Sequence, residues 1–228
     1  MKPLDLWRYE ARRAGLAALL GPPVLAVLTL LLAVFGTRLG SRVENTRWFL
    51  MGALEMGVPL LAGVVAASLP GRDPAAEIRL SVAHGYRPAL LRRLAVALGC
   101  TALCALTVSA ALMASGWWTF EYGGLAGQLV WLAPALWLAA VGFFAAAALR
   151  STAAATSLVG IVWTGEQLIG GTLSDNGTYR LLHLFATTSR LPDWPVNRLF
   201  LLSTALAMVA GAWFLLGNAE RVLKGEPE

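Results

Sequence analysis

Two lysines, two cysteines and two histidines are all that this 228-residue chain holds of those types, and each shortage removes a class of function. A nucleotide-binding P-loop needs a glycine directly before its lysine, because backbone N–H groups and the ammonium cradle the phosphates together. Neither Lys2 nor Lys224 follows a glycine, so the chain carries no such loop. Cys100 and Cys104 are four apart in an apolar run. On a helix their Cβ atoms would lie about 5–6 Å apart, beyond disulfide reach, and both are expected as small buried side chains. His84 and His183 fall in different connections, which leaves no ligand set for copper or haem. No HExxH pair, no GxSxG elbow and no paired carboxylates stand in an apolar run, so no metal site, no catalytic residue and no cofactor of its own are expected.

Charge is scarce too. Only 14% of residues are charged against 57% hydrophobic, where a soluble domain carries about 25% charged residues. Six runs approach the roughly 20 apolar residues that cross a hydrocarbon core: 14–36, 48–69, 94–116, 127–149, 152–170 and 198–217. The runs lack polar–apolar alternation, so they read as helices and not as barrel strands. The fold class expected is an all-α integral membrane protein forming one domain, 1–228. The net charge of +5 does not read as nucleic-acid binding, because the arginines cluster at the ends of the apolar runs. With the N-terminus inside, twelve arginines and lysines lie in cytoplasmic segments and six outside, which puts both termini in the cytoplasm. Trp48, Trp117, Trp118, Trp131 and Trp194 fall near the proposed outer ends, as an interfacial belt would. No signal-peptide cleavage pattern precedes the first run, so Met1 is expected to be retained. The alanine, leucine and arginine bias looks bacterial, which places the chain in a bacterial cytoplasmic membrane and leaves the NGT at Asn176 unmodified.

The connections carry the remaining signals. Residues 1–13 contain LWRYEARRAG, which sets Leu6, Trp7 and Ala11 against Arg8, Arg12 and Arg13 on a short helix suited to a membrane surface. Between the second and third runs lies RDPAAEIRLSVAHGYRPALLRR. Asp73 before Pro74 is a helix start and Gly85 can end that helix. Glu77, Arg79, Ser81 and His84 then lie on a polar helix at 74–84, with Glu77 and Arg79 available to a partner. A connection that only reversed the chain would need far less. Glu55 and Glu166 are the two carboxyls within the runs, and an ionisable group there is a functional-site hypothesis. Gly52, Glu55, Pro59, Ala62 and Ala66 form one stripe of the second run, opposite Leu54, Val58, Leu61 and Val65, so Glu55 is expected to face protein or a cavity and the leucines lipid. Ala153, Ser157, Gly160 and Thr164 make a small-residue seam on the fifth run, suited to close helix contact. A similar seam on the fourth, Ala135, Ala139, Gly142 and Ala146, reads as packing within one subunit.

This order of parts resembles the membrane permease of type-2 ATP-binding-cassette (ABC) exporters. The likeness rests on LWRYEARRAG before the first span, AAEIRLSVAHGYRPALLRR between spans two and three, TYRLLHLFATTSRLPDWPVNRLF before span six, and AERVLKGE after it. It implies six spans with both termini inside, an amphipathic interfacial helix, a cytoplasmic coupling helix within 72–90 and an external helical segment at 171–197. It further implies a cytosolic ABC ATPase subunit that holds ATP and magnesium, and a second permease copy or homologous permease that meets this one through spans one and five. The ATPase-coupling residues would be Asp73, Glu77, Arg79, Ser81 and His84. The cargo implied is an amphipathic small molecule, peptide, antibiotic or lipid-linked compound. A small secondary transporter, a membrane scaffold and an intramembrane enzyme are the competing classes.

Overall fold

A computed structural model of the chain describes residues 3–70, 86–173, 177–185 and 193–217. Among them there are helices and no strands. The elements are α1 (Pro3–Arg13), α2 (Leu16–Arg38), α3 (Val43–Ser68), α4 (Tyr86–Ala114), α5 (Gly124–Leu149), α6 (Thr152–Leu173), a short 3₁₀ helix (Gly177–Leu182) and α7 (Trp194–Leu215). Five of them, α2, α3, α4, α5 and α7, are long and apolar enough to cross a membrane. α6 is 22 residues long but is not among the five. Thr152, Thr156, Ser157, Thr164, Glu166 and Gln167 dilute its apolarity.

Helix breaks follow local chemistry. Gly15, at φ 91°, separates α1 from α2 in a conformation that side chains with a Cβ rarely adopt. Pro22 and Pro23 sit inside α2, and a proline there has no N–H for the carbonyl four residues back. The Leu19 carbonyl that Pro23 leaves free takes the Cys100 thiol as donor, at 3.5 Å. The two cysteines are free thiols, half-buried where full burial was expected. In α3 the residues Ala53–Gly57 form a π turn in which the Val58 N–H reaches back to the Ala53 carbonyl. Pro59 follows, and its ring would press on the Glu55 carbonyl in a regular helix; the wider turn relieves that contact. The boundary between α5 and α6 falls at Arg150, which takes a left-handed conformation at φ 57°. Ser151 Oγ then accepts the Ala154 N–H at 3.2 Å, capping α6.

α5 is the central element. It carries no charged residue and packs against α3, α6 and α7, with its most extensive contact on α3. Close approach there depends on glycine: a Cβ on Gly63 would lie 2.7 Å from a Val159 methyl, and a Cβ on Gly142 would meet the Gly63 carbonyl. Ala135, Ala139 and Ala146 are buried beside Gly142, so this seam is intramolecular packing, as expected. The reading of α3 needs correction. Glu55, Pro59, Ala62 and Ala66 are buried, but Leu54, Val58 and Val65 are buried as well, because α3 is covered on both sides by α5, α4, α6 and α2. Exposed apolar residues concentrate instead on α2, at Leu16, Leu28, Leu31, Leu32 and Phe35. The aromatic belt also shrinks. Trp48 is exposed, whereas Trp131 and Trp194 are buried.

α1 is held in place by an ion pair. Arg93 Nε donates to Glu10 Oε2 at 2.8 Å, with Glu10 3% and Arg93 2% exposed. At the same end, the Arg87 guanidinium lies over the Trp213 ring at 5.5 Å and occupies the space a Gly217 side chain would need. The first turns of α4 thus touch α1 on one side and the end of α7 on the other.

Gly142→Ala is expected to destabilise the bundle by about 1–3 kcal/mol through overpacking. Gly160→Ala, where a Cβ meets nothing within 4 Å, should leave stability unchanged or slightly raised. Thermal unfolding midpoints in detergent distinguish them, and equal midpoints would contradict the close α3–α5 contact.

Candidate functional site: a buried polar cluster between three helices

The residues singled out in the sequence separate into three groups. Asp73, Glu77, Arg79, Ser81 and His84 lie outside the described residues. Ala153, Ser157 and Thr164 are exposed, and Gly160 is half-buried with open space beside it. The seam therefore faces away from the other described helices, while Ala155 and Val159 of α6 point into the core. Glu55 and Glu166 are drawn into one polar cluster at the end of the bundle formed by α6, the 3₁₀ helix and the start of α7.

Glu55 sits on the π turn and is 3% exposed. A π turn leaves helix carbonyls without their usual donors, and the Trp163 indole of α6 donates to the Met56 carbonyl at 3.0 Å. That bond fixes α6 against the turn that carries Glu55. Across from it, on the first turns of α7, is Arg198, 1% exposed, on which the Glu55 charge acts.

Glu166 uses one oxygen twice. Its Oε2 lies 3.0 Å from His183 Nδ1 and accepts the Leu184 N–H at 3.2 Å. One turn further along α6, Gly170 makes room for the imidazole, since a Cβ there would lie 2.7 Å from His183 Cε1. From the other side, Arg198 Nη1 donates to the Leu184 carbonyl at 2.9 Å. Leu184 is thus held at its N–H by α6 and at its C=O by α7. Asn197 completes the grip, its Nδ2 donating to the carbonyls of Arg180, Leu181 and His183 at 2.9, 2.9 and 3.0 Å. These carbonyls lie at and just beyond the end of the 3₁₀ helix, where donors within the helix run out.

The purpose of this grip is visible in the side chains. Leu184 and Phe185 are buried in an apolar group with Leu138, Val141, Val159 and Leu201. Non-helical backbone can lie that deep only where protein satisfies its polar groups. At the rim, Arg180 and the half-exposed Asp193 pair at 3.6 Å, a contact worth at most about 1 kcal/mol. The Trp194 ring stacks on Tyr122 at 4.2 Å, with the Arg198 guanidinium 5.4 Å from its centre.

Not every polar atom is satisfied. Trp194 Nε1, Arg198 Nε and Nη2, Asn197 Oδ1 and His183 Nε2 are buried without hydrogen-bond partners. An unmade bond at a buried polar atom costs about 1–3 kcal/mol, so five in one place is a large cost. Among the described residues, no group of three His, Cys, Asp or Glu side chains could hold a metal ion. No known protein family, characterised protein or solved structure matches the chain.

Sequence reasoning reached Glu55 and Glu166 but missed His183, Asn197 and Arg198. A sixth span beginning at residue 198 puts Arg198 at its outer edge, whereas the helix begins four residues earlier, at Trp194. The signal for an earlier start was present: Asp193, Trp194 and Pro195 repeat the acid-then-proline pattern read at Asp73 and Pro74, and they put Arg198 one turn inside the helix.

Glu166→Leu removes the acceptor of two donors and is expected to cost about 2–6 kcal/mol, at 1–3 kcal/mol for each bond. Glu166→Gln keeps one acceptor oxygen and should cost less than half as much. Unfolding midpoints of both variants check this; equal losses would show that the carboxylate does not hold the segment.

Proposed function

We propose that the chain is the permease subunit of a type-2 ABC exporter, with six spans, both termini in the cytoplasm of a bacterial cell, and α1 lying on the inner membrane surface. Residues 72–90 dock on a cytosolic ATPase that binds ATP and magnesium, and a second permease completes the translocation path. The cargo is an amphipathic small molecule, peptide, antibiotic or lipid-linked compound.

The observation that carries this reading is the bracing of α4. Its first turns follow directly on the charged block, and they are tied to α1 by the buried Glu10–Arg93 pair and to the end of α7 by Arg87. Removing one member of a buried pair typically costs about 3–5 kcal/mol, so this junction resists deformation. A helix that receives a push from another protein needs such a brace; a slack connector does not. The exposed seam on α6 supports the second part of the reading, since small residues open to lipid allow a neighbouring helix to approach closely. The buried Glu55 on its π turn favours a second reading, a secondary transporter, because broken helices with ionisable groups mark ion sites in that class.

Co-purification from native membranes separates the two: an ABC ATPase retained in mild detergent supports the exporter, and transport driven by an ion gradient without ATP supports the alternative. Glu77→Arg is expected to leave folding and pairing intact while uncoupling ATP hydrolysis from transport, and full transport would remove Glu77 from the docking surface. Cysteines at Asn176 and Asp193 should label from outside intact cells while one at His84 should not. For pairing, Gly160→Leu is expected to weaken inter-subunit cross-linking about 5- to 150-fold, equivalent to roughly 1–3 kcal/mol of overpacking. Ala154→Leu, exposed on a different face of α6, should have little effect; equal yields would refute a contact through this seam.

A further inference from the structure

The five unsatisfied atoms belong to four side chains of the polar cluster, three of them on α7. Arg198 uses Nη1 on the Leu184 carbonyl, which leaves Nε and Nη2 without partners. Those two nitrogens form the side edge of the guanidinium, the edge that grips an oxyanion with two parallel bonds. Glu55 supplies charge to Arg198 but does not fill that edge. Trp194 Nε1, one turn away on the same helix, is a third unused donor. All three stand on the opening turns of a 22-residue helix, where uncompensated N–H groups favour negative charge. Asp193, at the capping position, makes no side-chain cap bond there. Two further atoms belong to the same cluster: Asn197 Oδ1, an acceptor, and His183 Nε2, an acceptor in the neutral tautomer that carries its proton on Nδ1.

We propose that this cluster is a binding site for a phosphate group that carries one proton, either free or at the head of an amphiphile. Its unprotonated oxygens accept from Arg198 Nε, Arg198 Nη2 and Trp194 Nε1. Its P–OH donates to Asn197 Oδ1 or His183 Nε2. A carboxylate would satisfy the donors and leave both acceptors unmet, which is why phosphate is the better match. Glu55 acts on Arg198 electrostatically and so offsets part of the positive charge offered to the ligand. The proposal does not depend on whether an ATPase drives the chain.

The test uses the purified full-length chain in dodecyl maltoside micelles, with inorganic phosphate and dodecyl phosphate as soluble probes, and in phosphatidylcholine nanodiscs with and without phosphatidic acid. Saturable binding is measured by ³¹P line broadening and by the rise in unfolding midpoint. Binding of inorganic phosphate identifies a free anion, whereas a response only to dodecyl phosphate and phosphatidic acid identifies an amphiphile headgroup; either supports the site. Arg198→Lys keeps the charge and loses the two-pronged edge, and should weaken binding at least tenfold. Glu55→Gln removes the offsetting carboxylate charge and should tighten binding several-fold, which keeps the proposal testable if the arginine variant does not fold. The proposal is overturned if no probe binds saturably, as when water alone fills the cluster, if Arg198→Lys binds as tightly as the parent, or if Glu55→Gln binds no more tightly than the parent.

Discussion

A polar backbone group in hydrocarbon has no water to turn to, and this constraint governs the structure wherever a helix is interrupted. Residues 183–185 leave helical geometry while their side chains enter the core, and the Leu184 peptide is met at both ends by Glu166 and Arg198. The same rule acts at the π turn, where Trp163 supplies a donor to the Met56 carbonyl, and in α2, where the Cys100 thiol serves the carbonyl that Pro23 cannot reach. At Leu184 and in α2 a side chain from another helix makes good a local loss, and at the π turn the Trp163 bond ties α6 to α3. These repairs therefore also fix how the helices stand against one another.

Packing adds the second layer. Lipid tails are as apolar as the helices, so contact between helices comes from dispersion at close range and from polar bonds. α5 meets α3 through Gly63 and Gly142 with no room for a side chain between them. Elsewhere the polar bonds carry more of the contact: Gln128 of α5 accepts from Ser109 of α4 and from Trp131 at 2.8 Å each. The buried Glu10–Arg93 pair joins α1 to α4 in the same manner. A rigid centre of close-packed helices with polar fastenings at its ends suits a protein in which motion at one end must be felt at the other.

How much of this was legible in the sequence depended on the range of the interaction. The long apolar runs and their helical nature follow from composition, and the stripe through Glu55, Pro59, Ala62 and Ala66 correctly marked a protein-facing side of α3. The opposite stripe was misread as lipid-facing because hydrophobicity alone cannot tell a core leucine from one in contact with lipid. Trp131 and Trp194 were misplaced for a related reason: an indole near the end of a span serves a membrane interface or a buried partner equally well, and here the partners are Gln128 and Tyr122. Arg150 in a left-handed turn carries no sequence mark beyond the capping Ser151. Pairings such as Glu10 with Arg93, 83 residues apart, lie beyond any local pattern.

The central structural claim is that the segment after the 3₁₀ helix is a fastened part of the bundle and not a surface loop. Amide hydrogen exchange at Leu184, in the purified chain in micelles, tests it most directly. Donation of that N–H to Glu166 within a buried setting should slow its exchange by orders of magnitude relative to an open peptide, close to the protection of amides in the middle of α5, and Glu166→Leu should abolish much of it. Exchange at the rate of an unstructured peptide in the parent protein would contradict the account.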